Sequence, residues 1–162
     1  MHETFSHIDA RGVESPDFDR SASVLPQPPK PQLLIVDDDF SCAHYFSHAA
    51  SECGYQARIA RNGDQFRSEY KSSEPEAVLL DLSLPETDGV ELLRFLAEHR
   101  CTAKVILTSG VGERVLEAAM RLGQALGLRM GKILPKPFVV QDLADALSSA
   151  PGLAKEGHAC FR

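Results

Sequence analysis

An α/β fold, with a five-stranded parallel sheet wound on both faces by five helices, is predicted by three observations. Five short apolar runs, at residues 33–36, 57–60, 77–80, 105–107 and 132–134, read as buried strands. Longer amphipathic stretches separate them in strict alternation, the pattern of a parallel sheet covered on both sides. Four of the runs also stop at residues able to do chemistry: Asp37-Asp38-Asp39, Asp81, Thr108-Ser109-Gly110 and Pro135-Lys136-Pro137-Phe138. In open α/β sheets ligands bind beyond the carboxyl ends of the strands, so these side chains are expected to meet in one pocket.

Leu33–Val36 opens the fold, and Asp39 behind it is placed to face solvent or to cap the helix that carries Phe40, Tyr45 and Phe46. Ala57–Ala60 and Ala77–Leu80 form the second and third strands. Asp88-Gly89 starts a helix whose Val90, Leu93, Leu96 and Ala97 share one face. After Val105–Leu107, the residues Val115, Ala118, Ala119, Leu122 and Leu126 repeat that pattern, with Gly127 as the stop. Lys132–Leu134 is the last strand, and Val139–Leu147 is the last helix. The folded domain is placed at 32–148. Residues 1–31, with Pro16, Pro26, Pro28, Pro29 and Pro31, read as a disordered proline-rich tail, and 149–162 as a second tail or the start of a linker.

Composition excludes several classes of function. A hydrophobic share of 43% and a charged share of 25% suit a soluble globular chain. Seventeen basic against 23 acidic residues, net −6 with no basic stripe, argue against nucleic acid as a partner. No apolar stretch is long enough to span a membrane, and Met1–Ala10 lacks the pattern of a secretory signal, so a cytoplasmic location is expected. The cysteines (Cys42, Cys53, Cys101, Cys160) form no CxxC pair. His44 and His48 are four apart, but neither an HExxH motif nor a cysteine pair supports a zinc site.

Carboxylates crowded at one sheet edge repel one another unless a cation joins them. Magnesium suits such a set, since it takes oxygen ligands and commonly pairs one or two carboxylates with a phosphate. Asp81 is then positioned as a carboxylate nucleophile toward phosphorus. Lys136 would neutralise charge on the transferring group and Thr108 would donate a hydrogen bond to it. The small Ser109 and Gly110 leave room for a donor.

Four motifs in order carry a resemblance to the receiver domain of two-component response regulators. They are Leu34-Ile35-Val36-Asp37-Asp38, Leu80-Asp81-Leu82-Ser83-Leu84-Pro85 with Asp88-Gly89, Ile106-Leu107-Thr108-Ser109-Gly110, and Leu134-Pro135-Lys136-Pro137-Phe138. The resemblance implies a flavodoxin-like sheet of order 2-1-3-4-5. It implies Asp81 as phosphoacceptor, with Mg2+ bound directly by Asp38, through water by Asp37, and by the Ser83 backbone carbonyl. Lys136 would contact the phosphate, Thr108 would be the switch hydroxyl, and the Lys136–Pro137 peptide would be cis. The donor implied is a phosphohistidine on a sensor histidine kinase or phosphotransfer protein. The chain would be that protein's substrate rather than an enzyme, with slow autodephosphorylation at most.

Two positions depart from the family. Ile133, three residues before Lys136, stands where a Tyr or Phe is common, which leaves a phosphorylation-independent interaction module as the alternative function. From Thr108 to Lys136 is 28 positions, longer than in an ordinary receiver, with the excess expected around Arg121–Met130 in the fourth helix or its exit loop. The residues from Gly110 to Ala119 and from Ala125 to Arg129 resemble receivers fused to EAL-type cyclic-di-GMP phosphodiesterases. The fourth helix is the expected surface for a homodimer. A phosphatase of the haloacid-dehalogenase type would need an acid two residues after its nucleophile, where this chain has Ser83.

Overall fold

The structure, a computed structural model, describes residues 28–110 and 112–148. Strands and helices alternate: β1 (Gln32–Val36), α1 (Phe40–Glu52), β2 (Gln56–Ala60), α2 (Gly63–Ser73), β3 (Ala77–Asp81), α3 (Gly89–Glu98), β4 (Lys104–Ser109), α4 (Glu113–Ala125), β5 (Arg129–Pro135) and α5 (Val140–Ser148). All four strand pairings are parallel, and the order is β2-β1-β3-β4-β5, as expected. The proline-rich segment 1–27 and the tail 149–162 lie outside the described residues. No helix among the described residues is long and apolar enough to cross a membrane.

Continuous apolar strands follow from a sheet buried on both faces, because successive side chains point to opposite sides. Leu33, Ile35, Leu79 and Ile106 join Ala43, Phe46, Ala50, Leu143 and Leu147 in the core under α1 and α5. Leu34, Val36, Val78, Leu80, Val105 and Leu107 join Phe66, Leu92, Leu93, Leu96 and Leu116 in the core under α2, α3 and α4. The central strands β1, β3 and β4 are buried almost throughout, while β2 and β5 are the half-exposed edges.

Acidic residues just ahead of α1 and α3 start those helices. Asp39 caps α1 by accepting hydrogen bonds from the amides of Ser41 and Cys42, and Asp88 caps α3 by accepting from Val90. Gly127, in the left-handed region at φ +80, ends α4 where expected.

The fourth helix and fifth strand differ from the expectation. The buried face of α4 is Leu116, Ala119 and Gly123, whereas Val115 is 52% exposed, Ala118 is exposed and Leu126 is 36% exposed. The reason lies at Gly123, where the Met130 side chain occupies the space a Cβ would fill, so β5 seats against that face. α4 has 13 residues, the same as α1, and β5 begins at Arg129 rather than Lys132. Between the pairs Val105↔Met130 and Leu107↔Ile133 the β5 strand carries one additional residue, a bulge that takes up part of the excess.

The loop from β3 to α3 passes close to Gly89. A Cβ there would lie 2.6 Å from Leu82 Cδ2 and 2.9 Å from Leu82 Cα, and the second of these is backbone that cannot swing away. Gly89→Ala is therefore expected to destabilise the protein by about 1–3 kcal/mol in urea unfolding, the usual cost of overpacking. Gly110→Ala, which meets nothing within 4 Å, is the control expected to stay within about 0.5 kcal/mol of wild type.

Candidate functional site

Three neighbouring strands bring the polar residues together at one end of the sheet. Asp37 follows β1, Asp81 is the last residue of β3, and Thr108 lies opposite Asp81 in the β3–β4 register. All three are buried. Lys136 follows β5, and its ammonium donates to Asp37 Oδ2 at 2.7 Å and to Asp81 Oδ2 at 2.6 Å. The other carboxylate oxygens are engaged as well. Asp37 Oδ1 accepts from the amide of Asp39 at 3.0 Å, and Asp81 Oδ1 accepts from the amide of Ser83 at 2.7 Å.

Local structure holds Lys136 in place. Its amide donates to the carbonyl of Ser109 at 3.0 Å, and the Lys136–Pro137 peptide is cis, as the resemblance implied. Phe138 stacks on Phe46 of α1 with ring centroids 4.4 Å apart, which ties the β5–α5 connection to the body of the domain.

Burial and charge oppose each other in this pocket. Burial pushes the Asp37 carboxyl above its ordinary value of 3.8, and the hydrogen bond and charge of Lys136 offset that only in part. Burial alone would lower the Lys136 ammonium, but its hydrogen bonds to Asp37 and Asp81 outweigh this and hold it above 10.5. Asp39 behaves differently. The amides of Cys42 and Ser41 hold its carboxyl below the usual range, in keeping with a helix cap outside the pocket.

The donor set fits magnesium. Asp37, Asp38 and Asp81 each offer an oxygen, and these atoms lie within 4.8 Å of one another. One ammonium serves two buried carboxylates, with the half-buried Asp38 beside them, so negative charge is in excess. The hydroxyl Oγ1 of Thr108 is buried with no hydrogen-bond partner among the described residues, a donor available to a ligand on Asp81. His44 and His48 take no part: both are exposed, and His48 lies 3.6 Å from Glu52.

Two contacts had no signal in the sequence. The Ser83 and Ser109 hydroxyls hydrogen-bond to each other between the β3–α3 loop and the end of β4. Arg61, in the turn after β2, reaches the carbonyl of Asp38 at 3.4 Å and lines a groove with Asn62, Gln65 and the residues from Leu84 to Thr87. Such pairings depend on how the loops fold over the sheet edge, and neither residue type marks a site by itself.

The Asp37 shift has a definite sign. A carboxyl whose pKa is raised by folding contributes stability below 3.8 that is lost as pH rises through the raised value. In metal-free buffer at pH 7, Asp37→Asn is therefore expected to melt at a higher temperature than wild type. The difference should shrink to nothing as pH falls toward 4, read by thermal denaturation across that range. Magnesium should narrow the difference at pH 7 by stabilising wild type more.

Residues 33–148 match the family described as the response regulator receiver domain. The transcriptional regulatory protein GltR of Pseudomonas aeruginosa is 29% identical over 116 residues, covering 68% of this chain and 45% of that protein. Sporulation initiation phosphotransferase F of Bacillus subtilis is 28% identical over 117 residues, covering 72% of this chain and 90% of its own length. The chain thus spans less than half of the first relative and nearly all of the second. Among solved structures, a response regulator signal receiver domain from Bermanella marisrubri superposes with a TM-score of 0.64 at 26% identity, over 76% of this chain and 100% of that one. With the motif order, the sheet order and the family match in agreement, the chain belongs to the receiver domains of two-component response regulators.

Proposed function

We propose that this receiver is a phosphoryl-accepting switch with Asp81 as its acceptor, fed by a sensor histidine kinase or a phosphotransfer protein. The observation that carries the reading is the buried Asp81 carboxylate, gripped by Lys136 and opposite, in the strand register, to Thr108 with its unpartnered hydroxyl. A carboxylate oxygen of Asp81 attacks phosphorus, the bond from phosphorus to the donor imidazole breaks, and the leaving ring nitrogen keeps the electron pair and takes up a proton. Lys136 holds the carboxylate and then meets the new phosphoryl charge. Thr108 donates to a phosphoryl oxygen and so ends its own lack of a partner. When bound, magnesium supplies charge neutralisation on the phosphoryl oxygens, with Asp37, Asp38, Asp81 and the Ser83 carbonyl as its holders.

Incubation with acetyl phosphate and magnesium, followed by intact-mass spectrometry, is expected to add one phosphoryl group to wild type. Asp81→Asn should reduce the label to background. A wild type that takes no label from acetyl phosphate or from a competent phosphohistidine donor would overturn the reading in favour of a phosphorylation-independent interaction module.

Apolar residues left exposed on α4 support that helix as the surface that reports the state of Asp81. Val115, Ala118 and Leu126 form a stripe beside its buried face, suited to a second copy of the chain. Sedimentation velocity is expected to show more dimer in phosphorylated than in unphosphorylated protein, and Val115→Asp should remove the difference. The sequence around α4 supports a cyclic-di-GMP phosphodiesterase as the class of effector under control.

A further inference from the structure

Four hydrogen bonds close a ring around the acceptor. The Lys136 amide donates to the Ser109 carbonyl at 3.0 Å, and the Ser109 hydroxyl bonds that of Ser83. The Ser83 amide donates to Asp81 Oδ1 at 2.7 Å, and Lys136 Nζ returns to Asp81 Oδ2 at 2.6 Å. Three of the links belong to groups already given a role or to the backbone. The fourth, between the two serine hydroxyls, is the one that joins the end of β4 to the loop behind Asp81 through side chains. Ser109 is itself buried, so its hydroxyl sits where an apolar side chain would be the simpler filling.

We propose that Ser109 is a positioning residue whose hydroxyl fixes the Ser83 backbone for cation binding. The Ser83 backbone has two duties that need a fixed orientation. Its amide holds Asp81, and its carbonyl is a metal ligand in the function proposed above, on which this inference rests. The Ser83 amide is held on Asp81 Oδ1, and the side-chain bond to the end of β4 adds a second hold that limits rotation of the Ser83 carbonyl. Groups that orient metal ligands commonly change metal affinity by about 10–100-fold when lost. The role is distinct from satisfying a buried hydroxyl, because that alone would cost stability and leave the cation untouched.

Isothermal titration calorimetry with magnesium alone tests the inference on the full chain, with circular dichroism to check folding. Ser109→Ala is expected to weaken magnesium binding about tenfold or more, and Ser109→Thr, which keeps the hydroxyl, to bind close to wild type. Ser83→Ala removes the same bond from the half-buried side and should weaken binding similarly, even if Ser109→Ala fails to fold. The double variant should be no weaker than either single one, since one shared interaction is lost. In acetyl phosphate labelling, the magnesium concentration giving half-maximal rate should rise more than the saturated rate falls. Wild-type affinity in Ser109→Ala or Ser83→Ala, additive losses in the double variant, or a Ser109→Thr as weak as Ser109→Ala would each overturn the inference alone. A wild type that binds no magnesium would overturn it together with the function it rests on.

Discussion

One ammonium between two buried carboxylates is the interaction on which the rest of this structure depends. Lys136 is within hydrogen-bond reach of both Asp37 and Asp81, and the side chains of both acids are almost out of solvent. Buried charges are tolerated only when paired and hydrogen-bonded, and here every carboxylate oxygen of the two acids has a donor. The pairing is incomplete in charge, since two anions share one cation. Burial keeps the Asp37 carboxyl above its ordinary value, and the charge imbalance makes the pocket receptive to a further cation.

The parallel sheet explains why these groups can meet at all. Every strand runs the same way, so all strand ends face one edge, and residues distant in sequence become neighbours there. The β3–β4 register sets Asp81 opposite Thr108, and the β4–β5 register sets Ser109 opposite Pro135, one residue before Lys136. The central strands β1, β3 and β4 anchor this edge, because each is packed from both faces. Close approach at Gly89 then lets the loop after Asp81 fold back over the edge, which puts the Ser83 amide on Asp81.

Much of this was legible in the sequence, for physical reasons. Strands buried on both faces must be continuously apolar, so Leu33–Val36 and Ala77–Leu80 announce themselves, and the first polar residue after each marks the sheet edge. The helix caps Asp39 and Asp88 were readable because capping is local chemistry. What escaped was set by contacts between elements. Hydrophobic patterning gives Gly123 no weight, yet it is buried, because Met130 fills its place and turns α4 one residue away from the expected face. The start of β5 was missed because Arg129-Met130-Gly131-Lys132 is no apolar run and contains a bulge. The Ser83–Ser109 bond joins residues 26 apart, a relation that no local pattern carries.

The central claim is that Lys136 holds Asp81 ready for a phosphoryl group and then follows that group. A crystal structure of the protein with magnesium and beryllium fluoride tests this most directly, since the fluoride mimics a phosphoryl group on a carboxylate. The account predicts an adduct on an Asp81 oxygen, with the Lys136 ammonium and the Thr108 hydroxyl both bonded to fluorine. An Asp81 that stays bare, or a Lys136 that still bridges Asp37 and Asp81 while Thr108 keeps no partner, would contradict it.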